Sequence, residues 1–178
     1  WLLSGDEHVA EYKPPPNVLQ IGQGADIAAL VASGELAAGI GVDPNSPGLR
    51  ALIPDAAEAG FRALRDRRLY PINHLIVVKD EVLNAHSGLA PDLFEAFARA
   101  KRQYVEALKR DRVEAPTPTD ELYRRVMEIT GADPLPYGIA PNLELLEGFV
   151  RDFVRQGMID RRIRVDGLFH PETPGLVG

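Results

Sequence analysis

Apolar residues near the start of the chain come in short runs; further along they recur about every three to four positions. Residues 1–3 read as the end of a strand and 17–21 as a short strand. Between them lies a polar loop, 4–16, closed by three prolines. Turn and helix are predicted over 22–33, with Ile27, Leu30 and Val31 on one face and Gly34 placed to end the helix. The small-residue run 36–42 predicts a buried strand. Strand, helix and strand at this spacing make a βαβ unit, which implies a parallel sheet. A Pro/Gly/Asn loop over 43–49 leads to a helix over 54–68, with Ala57, Phe61 and Leu64 at helical spacing and a basic end that suits the helix dipole. A strand over 71–78 and a short helix over 80–86 follow.

The second half of the chain is helical in pattern. Leu89, Leu93, Phe97, Ala100, Tyr104 and Leu108 step by 4, 4, 3, 4 and 4, a one-faced stripe on a helix predicted over 91–110. After a loop over 110–118, Thr117-Pro118 supplies a cap and an N1 proline for a helix ending at Gly131. Asn142 is placed to cap the last long helix, which buries Leu146, Val150, Phe153 and Val154 and stops at Gly157. The expected fold class is therefore α/β, with a mostly helical second part.

Composition narrows the function. A net charge of -6 disfavours a nucleic-acid partner. No apolar run reaches the about 18 residues of a membrane span. The absence of cysteine excludes disulfides, thiolate metal sites and a thiol nucleophile. The chain opens on Trp1 rather than Met and reads as a piece of a longer protein, so the lack of a targeting segment carries no information.

Four places could carry chemistry. In Tyr70-Pro71-Ile72-Asn73-His74 an apolar strand begins with an amide and an imidazole. Histidine moves protons near neutral pH, and neighbours on a strand face opposite sides, so one of Asn73 and His74 would face a given cleft. The alternative is a partly buried, hydrogen-bonded histidine. The loop Gly5-Asp6-Glu7-His8-Val9-Ala10-Glu11-Tyr12-Lys13 follows a strand, where ligands of α/β sheets bind. Glu7 and His8 could act as acid and base and Lys13 could hold a carboxylate; the alternative is a solvated charged loop. Their spacing with Glu11 matches no known zinc pattern. Gly22-Gln23-Gly24-Ala25-Asp26 lacks the third glycine of a dinucleotide fingerprint and reads as a tight turn with an Asp near the helix start. In Tyr137-Gly138-Ile139-Ala140-Pro141-Asn142, a turn holds a tyrosine that could point into a cleft. His86 and His170 read as helix-end and tail residues with no partner in sequence, and Arg161-Arg162-Ile163-Arg164 as solvated surface.

Six segments carry a family resemblance: Leu2-Leu3-Ser4-Gly5-Asp6-Glu7; Leu30-Val31-Ala32-Ser33-Gly34-Glu35-Leu36; Tyr70-Pro71-Ile72-Asn73-His74; Leu93-Phe94-Glu95-Ala96-Phe97 with Ala100-Lys101; Pro136-Tyr137-Gly138-Ile139-Ala140-Pro141-Asn142; and Leu168-Phe169-His170-Pro171-Glu172-Thr173. In order and spacing the chain resembles the C-terminal half of the 4,5-dihydroxyphthalate decarboxylases. Pro-Ile-x-His and Pro-Tyr-Gly-Ile-x-Pro-Asn are the more specific motifs. Two departures stand out: His8-Val9-Ala10-Glu11-Tyr12-Lys13 replaces an expected Gly-Arg, and Asp43-Pro44-Asn45-Ser46 lacks an expected Arg. Arginine is the natural bidentate carboxylate clamp.

The resemblance implies a two-lobed fold of the type 2 periplasmic-binding-protein kind. Residues 1–70 would form an α/β second lobe with a parallel or mixed sheet. Residues 71–178 would supply a return strand and C-terminal helices to an incomplete first lobe. It further implies decarboxylation of a hydroxylated aromatic acid, with His74, Glu7 and His8 catalytic and Lys13, Tyr12, Asn73 and Tyr137 binding the ligand. No cofactor is expected, with a divalent metal left open. The implied partner is a small aromatic carboxylate, with no nucleic acid and no membrane. A homo-oligomer and a cytoplasmic location are expected, or a periplasmic one if a signal precedes the chain. The alternative function is a non-catalytic solute-binding protein for a small organic anion.

Overall fold

The computed structural model describes residues 1–5, 13–22, 24–72 and 74–178. Two compact units emerge, Trp1–Ala59 and Gly60–Gly178. The architecture is mixed α/β. Among the described residues it holds a two-stranded parallel sheet and several helices.

In the first unit β1 (Leu2–Leu3) pairs in parallel with β2 (Leu19–Gln20), Leu2 opposite Leu19. The Leu19 amide donates to the Trp1 carbonyl and the Ile21 amide to the Leu3 carbonyl, each at 3.0 Å. The parallel sheet expected from the sequence lies between 17–21 and 36–42; the observed pairing joins the first two strands instead. Helix α1 (Ile27–Ala32) starts where Asp26 Oδ1 accepts the Ala29 amide at 3.0 Å, a side-chain N-cap. The Gly-x-Gly-x-Asp stretch thus leads into a capped helix start.

The strand expected over 36–42 does not form. Gly41 has φ 77°, a turn conformation rather than an extended one, and Ile40 is 93% exposed. A Cβ at Gly39 would lie 3.1 Å from Ile27 Cγ2, so the backbone folds back against α1 instead of running beside β2.

Helix α2 (Ala56–Arg67) begins in the first unit and ends in the second, where its Leu64 is buried. The segment 74–79 is the second correction. It makes no ladder, and Leu75, Ile76 and Val77 are exposed, Val77 at 90%. Apolar, β-branched sequence favours an extended backbone, but a strand also needs a neighbour to take its hydrogen bonds, and none of the described residues supplies one.

Helix α3 (Asp80–Ala85), α4 (Leu89–Lys109), α5 (Pro118–Thr130) and α6 (Leu143–Arg155) follow, close to the predicted spans. The buried hydrophobic residues of the described chain all belong to the second unit. One cluster joins Ile139, Leu146, Val150 and Val165, with Ile72, Ile159 and Phe169 packed on it. Of the face predicted for α6, Leu146 and Val150 are buried; Val154 is half-buried and Phe153 is 42% exposed.

Helices α4 and α5 are in contact, and Ala98, Val105 and Leu108 of one and Val126 of the other are buried. The two are also joined by a polar tie. Thr117 Oγ1 and the Thr117 amide donate to Asp120 Oδ2 at 2.6 and 2.7 Å, and the Asp120 amide returns a bond to Thr117 Oγ1, a reciprocal capping box. The Tyr104 hydroxyl of α4 donates to Asp120 Oδ1.

These bonds favour the ionised carboxylate. Asp120 is lowered to about 2, mainly by the Thr117 hydroxyl and then by Tyr104, while burial, followed by the bond to Asp120, pushes Tyr104 up to about 12. Linkage then sets two windows. The Asp120 contribution is present above pH 3.8 and is lost as pH falls through about 2. The Tyr104 contribution is present below pH 10.0 and is lost as pH rises through about 12. Denaturant midpoints measured across pH should therefore fall at both extremes. In Asp120→Asn the acid-side fall from this group should vanish, and an unchanged acid limb would refute the tie.

Candidate functional site

A groove of about 560 Å³ opens on the second unit. Its floor is the core itself: Ile72, Ile139, Leu146 and Phe169 line it and also belong to the apolar cluster. Leu93, Phe94 and Phe97 of α4 form one wall, and 74–78 forms another. This explains the α4 stripe. Its N-terminal members Leu93 and Phe97 face an open groove, so Phe97 is 47% exposed, and the core contacts fall instead on Ala98, Val105 and Leu108.

Four titratable groups line this groove among the described residues: His74, Asp80, Tyr137 and His170. His74 is exposed, which sets aside the partly buried reading. The segment that carries it is anchored by Ile72, which is packed on the cluster.

Tyr137 is held from several sides. Its ring stacks on Phe94 with centroids 4.7 Å apart. Its carbonyl accepts the Gly178 amide at 3.1 Å. Asn142 does not cap α6 with its side chain as the sequence suggested. Its Nδ2 instead donates to the Pro136 and Gly138 carbonyls at 2.9 and 2.8 Å, clamping the turn around Tyr137. Burial pushes the Tyr137 phenol above 10.0, so near neutral pH it is a hydrogen-bond donor. Behind the turn, Lys101 pairs with Asp133 and donates to the Gly178 carbonyl at 2.7 Å.

His170 was not legible as a site residue. Its carbonyl accepts both the Thr173 amide at 2.9 Å and the Thr173 hydroxyl at 2.8 Å, which fixes the turn that brings it to the groove. The one available signal was its place in Leu168-Phe169-His170-Pro171-Glu172-Thr173. His170 also lines a smaller pocket of about 340 Å³ with Asn84, His86, Ser87 and Glu172, so His86 lies near the site rather than in the groove.

The structure therefore brings together His74 and Tyr137 of the predicted set. Lys13 is exposed and belongs to the first unit. Glu7, His8, Tyr12 and Asn73 lie outside the described residues. No Lys or Arg is among the groove-lining residues, and Asp80 is their one carboxylate. Among the described residues no group of three or more His, Asp or Glu is placed to hold a metal ion. No described helix is long and apolar enough to cross a membrane.

An apolar slot with imidazole and phenol groups suits a flat aromatic ligand with polar substituents. Comparison with known proteins finds one distant similarity. The chain is similar to a 4,5-dihydroxyphthalate decarboxylase of Comamonas testosteroni. The two are 28% identical over 160 residues, covering 85% of this chain and 48% of that protein. The chain thus spans about half the length of the curated relative it matches, and the relation is a distant one. No family model matches the chain. No solved structure matches it.

Proposed function

We propose that this chain is part of a decarboxylase acting on a hydroxylated aromatic acid, 4,5-dihydroxyphthalate or a relative, in the breakdown of aromatic compounds. The observation that carries the reading is the joint presence of His74 and Tyr137, from the two most specific motifs, in one apolar groove. The distant similarity to a 4,5-dihydroxyphthalate decarboxylase supports it. The proposed setting is a two-lobed, type 2 periplasmic-binding-protein-like fold, with 1–70 in the second lobe and 71–178 returning to the first. A cytoplasmic homo-oligomer goes with this reading.

The chemistry needs no oxidant. In 4,5-dihydroxyphthalate each carboxylate is para to a hydroxyl. Electron density from that oxygen enters the ring as a general acid protonates the carbon bearing the carboxylate. The bond to the carboxylate carbon then breaks, its electron pair restores the aromatic ring, and carbon dioxide leaves. The product is 3,4-dihydroxybenzoate. His74 is the proposed acid, with an imidazole suited to proton transfer near neutral pH. Tyr137 is proposed to hold a ligand oxygen through its phenolic O–H, with Glu7 as the other candidate at a hydroxyl. His8, Lys13, Tyr12 and Asn73 remain proposed contributors from outside the groove's described lining. No step requires a metal, and whether a divalent ion assists is an outcome of the assay with and without one.

The second reading, a non-catalytic binding protein for a small organic anion, is favoured by one observation. Among the described residues, no Arg or Lys lines the groove to clamp two carboxylates. Calorimetry with 4,5-dihydroxyphthalate, paired with a carbon dioxide assay, separates the two. Binding with turnover supports the decarboxylase. Binding without turnover supports the second reading, and no binding removes this substrate from both.

A further inference from the structure

His170 has no role in the mechanism above, yet it stands in the same groove with its ring held in a defined state. Its Nδ1 accepts the backbone amide of Glu172 at 3.4 Å. An imidazole that accepts at Nδ1 carries its proton on Nε2. Protonation of Nδ1 would place the new N–H near Glu172 Oε2, 3.8 Å away. In either state Nε2–H remains a donor.

The other polar groups of the groove are more committed. Both donor hydrogens of the Asn142 amide are taken by the Pro136 and Gly138 carbonyls. Asp80 is an acceptor that repels anions. The Thr173 hydroxyl is taken by the His170 carbonyl. Among the described lining residues there is no Lys or Arg, so the side-chain donors left for an anionic ligand group are the Tyr137 hydroxyl and the two imidazoles. His74 has the proton transfer to perform.

We propose that His170, through Nε2–H, anchors the carboxylate that the aromatic ligand retains, in place of an arginine clamp, which is absent from the described groove lining. This rests on the reading of the groove as an aromatic-acid site. A single hydrogen bond from an imidazole holds a carboxylate more weakly than the paired bonds of a bidentate guanidinium do. The site is thus suited to a ligand whose ring is held by apolar contact and whose carboxylate is oriented by single hydrogen bonds.

The test uses 3,4-dihydroxybenzoate, which carries the retained carboxylate and does not react further. Its affinity is measured by calorimetry for the protein carrying this chain and for His170→Asn and His170→Gln. Glutamine can present an amide N–H near the position of Nε2, whereas asparagine reaches only to that of Nδ1. A hydrogen bond to a charged group is worth roughly tenfold or more in affinity. The expected result is about a tenfold loss in His170→Asn and recovery to within about threefold of wild type in His170→Gln. Unchanged binding in His170→Asn overturns the proposal. Equal weakening of both variants overturns it too, because a merely structural role for the ring would move them together. Wild-type protein that neither binds this acid nor turns over 4,5-dihydroxyphthalate removes the groove reading along with His170. Wild-type turnover with an indifferent His170→Asn removes His170 alone.

Discussion

Replacing His74 with alanine is expected to cut decarboxylation of 4,5-dihydroxyphthalate by about 10²–10⁴-fold, the usual contribution of a positioned general acid. The melting temperature should hardly move. His74 is exposed, and the anchoring of its segment falls to Ile72, half-buried against the cluster of Ile139, Leu146, Val150 and Val165. Surface substitutions away from caps and cores are usually within about 0.5 kcal/mol. Affinity for 3,4-dihydroxybenzoate should fall much less than the rate, since the imidazole is assigned to the proton rather than to the retained carboxylate. Steady-state rates with unfolding curves on the same preparations check this. A near-normal rate would remove His74 from the chemistry, and a large loss of stability would make its role structural.

The second large effect lies in the turn that carries Tyr137. Gly138 has φ 115°, and a Cβ there would sit 2.5 Å from the Leu176 carbonyl oxygen. That oxygen belongs to the backbone that pairs with Gly138 in an antiparallel bridge through Val177. It cannot swing aside as a side-chain end could. Gly138→Ala therefore meets both a disfavoured dihedral and a steric clash, and should cost about 1–3 kcal/mol of stability. The loss should extend to the ligand. The Asn142 amide grips the carbonyls on either side of Tyr137, and the Phe94 stack depends on where that turn places the ring. Thermal unfolding and titration with 3,4-dihydroxybenzoate should both worsen. Wild-type values in both would mean the turn tolerates a different path.

Local signals were legible in the sequence where the physics is local. Thr117-Pro118 announces a capped helix because a cap is made within a few positions of the helix start, and Gly131 ends that helix at φ 65°; the part of Asp120 in the cap emerges only from the structure. The α6 stripe was readable at Leu146 and Val150 because α6 lies on the core. The strands over 36–42 and 71–78 were not. The β-branched residues of 71–78 favour extension, but pairing depends on a partner elsewhere; in 36–42, Gly39 and Gly41 turn the chain back on α1. In α4 the stripe was real, but part of it lines a groove rather than a core, a distinction no periodicity contains.

The site was legible to the same degree. His74 and Tyr137 were chosen from separate motifs, and the fold places both on one groove. His170 had no neighbour in sequence to betray it; only the Thr173 turn brings it in. Asn142 was seen as a cap because helix starts favour such residues, and the side chain went to the Tyr137 turn instead.

The most direct test of the account is the fate of the ring proton. The protein carrying this chain would be incubated with 4,5-dihydroxyphthalate in deuterium oxide, and the product examined by NMR. The proposed mechanism predicts 3,4-dihydroxybenzoate with one solvent deuteron at the carbon that lost its carboxylate, and carbon dioxide in equal amount. Bound but unchanged substrate, with no carbon dioxide, would contradict it and leave the groove as a binding site alone.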